Sequence, residues 1–177
     1  MIIKKILQKD SGILRKIALE VHLKDIKGAK IKKVIREMNR ALASQSDGVA
    51  IAAPQIGYSL RIFIVSGKIF SKDFVRGQKA PTPGNKKFKN LIFINPKISK
   101  SSREKEWVPE GCLSVRWLYG KTLRSKKALI TAYDENGKKF ARGASGLLAQ
   151  IFQHETDHLN GVLFTDHAKD VKEEKPK

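Results

Sequence analysis

Near its C-terminal end the sequence reads Gln153-His154-Glu155-Thr156-Asp157-His158, two histidines bracketing a glutamate. On a helix, residues four apart lie one turn apart on the same face, so the two imidazoles can hold one divalent cation between them. Glu155, beside the first of them, is then placed to take a proton from a water polarised by that cation, work that suits a carboxylate in partly desolvated surroundings. The plainer reading is a pair of hydrogen-bonded core histidines. The intervening Glu, the buried phase of the pair and helix signals at both ends favour the metal.

A catalytic metal wants a third protein ligand and one open position. The extended pattern H-E-x-x-H-x-x-G-x-x-H runs through Gly161 but ends on Phe164, which binds no metal, and this excludes that group of peptidases. A glutamate on a following helix is hard to supply, because only Asp166, Asp170, Glu173 and Glu174 remain, in a segment without helix signals. An upstream ligand is therefore expected. Cys112 offers the softest donor, in Trp107-Val108-Pro109-Glu110-Gly111-Cys112-Leu113-Ser114, although a lone cysteine packed as a small hydrophobe is equally common. His22 lies among charged residues and His167 enters the terminal segment, so both are expected at the surface.

These residues need elements to carry them. Ser145 can cap a helix running to about Leu159, with Gly161 as its stop, which sets Leu147, Ile151, His154 and His158 on one face. An earlier amphipathic helix is predicted from about Ala29 to Ser44, with Ile31, Val34, Ile35, Met38 and Leu42 on its apolar face. Val49 to Gly57 is apolar but too rich in small residues, Pro and Gly for an ordinary core strand. Residues 60–65, 91–94 and 128–133 read as short strands, the last opening a hairpin at Asp134-Glu135-Asn136-Gly137. The fold class is α+β: short antiparallel strands packed around a central C-terminal helix. A single domain is expected over 1–165, with a basic surface insertion at 66–90 and a charged tail at 166–177.

A length of 177 residues with 41% hydrophobic side chains suits one domain burying roughly 70% of its surface, and excludes disorder throughout. Thirty-six Lys and Arg against 17 Asp and Glu leave a net charge of +19. Such a charge suggests a polyanionic neighbour, nucleic acid or ribosome, or else only a lysine-biased composition; it bears on association and names no reaction. One cysteine excludes an internal disulfide framework and suits a reducing compartment. With no signal peptide and no apolar run of membrane-spanning length, a cytoplasmic location is expected.

Three separated segments, Gly48 to Gln55, Glu110 to Ser114 and Gln153 to His158, resemble in order and spacing the motifs G-x-G-x-A-A-x-Q, E-G-C-L-S and Q-H-E-x-D-H of the peptide deformylase family. The likeness continues through Ile13-Leu14-Arg15-Lys16, the hairpin from Tyr133 to Lys138, and Leu159 to Phe164, so it spans nearly the whole chain. It implies removal of the formyl group from N-formylmethionyl peptides as they leave bacterial-type ribosomes near the exit tunnel, by a monomeric enzyme. By motif position, Cys112, His154 and His158 would hold the metal, usually Fe²⁺, with Zn²⁺, Ni²⁺ or Co²⁺ also accepted. Glu155 would be general base and then acid, while the Gln55 amide and the Leu113 backbone N–H would donate to the developing oxyanion.

The same resemblance implies that Gly48 and Ala50 line the substrate backbone, that Leu113, Leu147 and Ile151 form the methionine pocket, and that Glu110 and Arg124 pair to support the cysteine loop. A deformylase-like protein without turnover, bound to ribosome or RNA, is the alternative from another class. The sequence departs from the family pattern at Ala50, where a second Gly is expected. It departs again at Arg116-Trp117-Leu118-Tyr119-Gly120, where Pro commonly follows Val115 and an arginine is usual at the position of Tyr119. Arg116 is the available substitute for that arginine.

Overall fold

The computed structural model describes residues 3–75 and 88–175. Helix α1 spans Ala29–Ala43, and its Ile31, Val34, Ile35, Met38, Ala41 and Leu42 are buried, as the apolar spacing predicts. Strands β1 (Ala50–Ala52), β2 (Ile62–Val65) and β3 (Leu91–Ser101) follow, then β4 (Lys105–Gly111), β5 (Leu118–Ser125), β6 (Lys127–Tyr133) and β7 (Lys139–Ser145). Helix α2 covers Gly146–Leu159, and β8 covers Lys169–Glu173. The strands form a five-stranded sheet in the order β1-β2-β3-β6-β7 and a three-stranded sheet in the order β4-β5-β8, with every named pairing antiparallel.

Burial on both faces explains the run Ile62-Phe63-Ile64-Val65. Ile62 and Ile64 join Ile51 in the core beneath α1, while Phe63 and Val65 join Ala50 and Ala52 in the core beneath α2. The larger sheet is thus sandwiched between the helices, and strand alternation delivers successive side chains to opposite cores. Phe63 stacks on Phe93 at 4.6 Å, and Phe152 of α2 meets Phe93 edge-on at 5.2 Å, which seats α2 on the sheet. The segment expected to avoid ordinary strand structure forms β1 and then a short 3₁₀ helix, Ala53–Ile56. Its small residues leave room for α2 to pass close by.

The hairpin forms as expected: Asp134 N–H donates to the Lys138 carbonyl at 3.0 Å, with Gly137 at φ 76°. Of the segment read as a basic insertion, residues 76–87 lie outside the described residues. Its flanks are tied together by the Gly67 N–H donating to Asn90 Oδ1 at 2.8 Å, and Gly67–Phe70 is a 3₁₀ helix. The segment read as a charged tail carries β8 instead. Lys169–Glu173 pairs with β5 through its backbone while all five side chains stay exposed, so composition alone gave no sign of a strand.

Candidate active site

Helix α2 runs to the end of a groove of about 370 Å³ that opens between the two sheets. Both walls are edges: β1 is the outer strand of the larger sheet and β4 the outer strand of the smaller one. Gly48, Val49 and Ala50 line one wall, Pro109 to Leu113 the other, and Leu147, Gln150 and Ile151 of α2 form the floor. The groove therefore offers backbone on two sides and apolar side chains beneath.

At its inner end Cys112, His154 and His158 converge, with ligand atoms all within 4.8 Å of one another. Cys112 Sγ lies 3.1 Å from His158 Nε2. His154 Nδ1 is 2.6 Å from Glu110 Oε1, which fixes the ring and leaves Nε2 toward the cluster. Among the described residues, His158 Nδ1 and Glu155 Oε2 are buried without a hydrogen-bond partner. A thiol and two imidazoles, that of His154 oriented from behind by Glu110, suit a divalent transition metal in both softness and count. His22 and His167 are exposed and take no part.

Burial sets the electrostatics. It pushes the Glu155 carboxyl up to about 7, a value matched to proton transfer near neutrality. Burial holds the His158 imidazole well below its usual value, with the neighbouring His154 charge acting in the same direction. At His154 burial acts downward too, but the contacts with Cys112 and Glu110 outweigh it and raise the imidazole. A metal here must displace a proton from His154, so its retention weakens as pH falls.

Glu110 is the hub behind the ligands. It accepts from Thr122 Oγ1 at 2.6 Å, from Arg124 Nε at 3.1 Å and Nη2 at 2.6 Å, and from Gln150 Nε2 at 3.1 Å. Arg124 reaches on to Asp157 of α2 at 2.6 Å. The expected Glu110 and Arg124 pairing is present, and it grips α2 as well as the cysteine loop. Gln55 accepts from Ala52 N–H at 2.8 Å, while its amide nitrogen donates to Ser114 Oγ at 3.0 Å and lies 3.6 Å from Cys112 Sγ. Gln8 donates to the Leu113 carbonyl at 3.0 Å, holding the residue after the cysteine.

Every site residue singled out from the sequence lines the groove or stands directly behind it. Ala50 is buried against the α2 core while it borders the groove. Thr122, Gln150, Asp157, Ser114 and Gln8 are missed by sequence reasoning. Ser114 and Asp157 fall inside the quoted E-G-C-L-S and Q-H-E-x-D-H segments without a role assigned to them, and Gln150 stands out only as a polar residue beside Ile151 and Phe152. Arg116 does reach the groove, but it is engaged with Asp47.

A helix presenting two imidazoles and a buried carboxylate to a thiol, at the closed end of a groove between sheet edges, defines a metal-dependent hydrolase. Residues 3–174 match the polypeptide deformylase family, and the chain belongs to that family. It is 36% identical over 166 residues to peptide deformylase 2 of Clostridium acetobutylicum, covering 94% of this chain and 95% of that protein. The fold is similar to the crystal structure of a peptide deformylase from Legionella pneumophila, with TM-score 0.79 and 33% identity over 96% of this chain and 88% of that one. It is also similar to a peptide deformylase from Synechococcus elongatus in complex with actinonin, with TM-score 0.77 and 30% identity over 94% and 80%.

Proposed function

We propose that this enzyme removes the formyl group from the N-terminal N-formylmethionine of newly made polypeptides, releasing formate and a free amine. The observation that carries the reading is the convergence of Cys112, His154 and His158 beside the buried Glu155 at the closed end of the groove. Those three side chains would hold a divalent metal, Fe²⁺ natively, with Zn²⁺, Ni²⁺ or Co²⁺ as substitutes. When bound, it supplies Lewis acidity to a water and to the formyl oxygen.

The protein's own groups do the rest. Glu155 takes the proton from the attacking water, then returns it to the amine as the formyl C–N bond breaks. The Gln55 amide and the Leu113 N–H donate to the oxygen on which negative charge develops, and both are held in place beforehand by their neighbours. The peptide lies extended between the β1 and β4 edges, against the backbone of Gly48 and Ala50 on one side. The methionine side chain enters the apolar corner where Leu113 of one wall meets Leu147 and Ile151 of the floor. Glu110 and Arg124 position His154 and the cysteine loop.

The same reading takes residues 1–165 as one catalytic domain with a charged C-terminal segment, monomeric and cytoplasmic, working beside the ribosome to which its +19 charge draws it. No helix among the described residues is long and apolar enough to cross a membrane. The test is formate release from formyl-Met-Ala-Ser by iron-loaded protein under anaerobic conditions. The parent releases formate, and Glu155→Ala is slower by roughly 10²–10⁴-fold with its metal retained. A parent that releases none refutes the assignment.

A further inference from the structure

The outer end of the groove is crossed by an ion pair that the reaction does not use. Asp47 stands immediately before Gly48 on one lip, and Arg116 stands shortly after Cys112 on the other. They meet side by side, with Arg116 Nη1 donating to Asp47 Oδ2 at 2.6 Å and Nη2 to Oδ1 at 2.9 Å. Nη2 also donates to Gln45 Oε1 at 3.2 Å, and the guanidinium lies 4.4 Å from the centre of the Trp117 ring. The Arg116 side chain is only 17% exposed and that of Asp47 35%, so the pair is partly shielded from water.

A two-pronged pair of this kind fixes geometry as well as charge. The lips cannot part without breaking it, and Arg116, the cation that lines the groove, is already matched to a carboxylate. Asp47, Arg116 and Glu155 line the same groove, so a peptide held by its formyl end at Glu155 would leave between these lips, with its third residue placed to pass the pair. A nascent polypeptide continues there as an amide, whereas a released tripeptide ends there in a carboxylate.

We propose that the Asp47–Arg116 pair is a specificity element that sets the width of the groove's exit and masks the guanidinium, so that a continuing chain is accepted as readily as a carboxylate terminus. The proposal rests on the deformylase reading above. Asp47 is the mask and Arg116 the group masked. Removing the carboxylate frees a planar two-donor cation, which then selects for an anion.

The experiment compares kcat/KM for formyl-Met-Ala-Ser as the free acid and as its C-terminal amide. Both substrates are measured on the same preparation, so the acid-to-amide ratio does not depend on how much of the protein is active. The parent ratio is expected within about threefold of one, and Asp47→Asn is expected to raise it about tenfold or more, as a newly exposed charge-assisted contact should. The double variant Asp47→Asn, Arg116→Met returns it to the parental value. A parent ratio already near tenfold, or an Asp47→Asn ratio that stays parental, overturns the proposal. If Asp47→Asn is not recovered folded, Asp47→Ser poses the same question. A parent that cleaves neither peptide sinks the deformylase reading and this one with it, a result distinct from cleavage of both with the wrong ratio.

Discussion

Cys112 is the residue on which the metal assignment turns. Its thiol stands 3.1 Å from an imidazole and 3.6 Å from an amide nitrogen, polar company that a cysteine packed as a hydrophobe would not keep. Cys112→Ala should therefore lose stoichiometric metal on dialysis, read by elemental analysis, while the fold persists by circular dichroism; full retention would place the third ligand elsewhere. The two histidines and Glu155 are legible in the sequence because helical spacing alone joins them. The contact between Glu110 and His154 joins residues 44 apart in sequence, across two elements, and no spacing rule reports it. Asp47 carries a further prediction. The hydrogen bond from Arg116, with its charge, holds the Asp47 carboxyl below the usual range despite an opposing effect of burial. A lowered folded pKa contributes stability that is present above the ordinary value of about 3.9 and is lost as pH falls through the folded one. Urea midpoints of Asp47→Asn should accordingly fall less steeply below about pH 4 than those of the parent, and parallel curves would show that the pair adds nothing to the acid limb.

Elements were visible in the sequence where one apolar face met one core. Helices α1 and α2 and strand β6 follow that rule, while β2 is visible as a short all-apolar run buried on both faces; their expected positions agree with the structure to within two residues. Strands β4 and β5 do not. Their buried side chains include Glu110, Thr122 and Arg124, so the alternation is present but is written in polar residues that satisfy one another. Gly161, expected as the stop of α2, has φ 76°, and a Cβ there would lie 2.7 Å from the Arg15 carbonyl oxygen. It both ends the helix and lets the N-terminal segment cross it. Gly161→Ala should thus destabilise the fold by about 1–3 kcal/mol through backbone strain, plus the cost of moving Arg15, read as a lowered thermal midpoint. An unchanged midpoint would mean that the N-terminal segment yields without cost.

At the scale of the whole molecule, the charge and the groove have separate roles. A net charge of +19 spread along the chain bears on encounter with an RNA-rich surface. Co-sedimentation with ribosomes should fall steeply, by orders of magnitude in affinity between roughly 50 and 200 mM salt, and salt-independent sedimentation would exclude an electrostatic origin. The proposed chemistry lies at the seam between the sheets, where, among the described residues, β1 and β4 each keep one edge without a strand neighbour. Open edges usually invite aggregation. Here both edges border the groove, and on the proposed reading an incoming polypeptide would pair with the backbone that the fold leaves unpaired. Recognition through the main chain is indifferent to most side chains but not to proline, which has no N–H to donate. A nascent chain with proline early in its sequence would forfeit a rung of that ladder, and would keep its formyl group longer than its neighbours do.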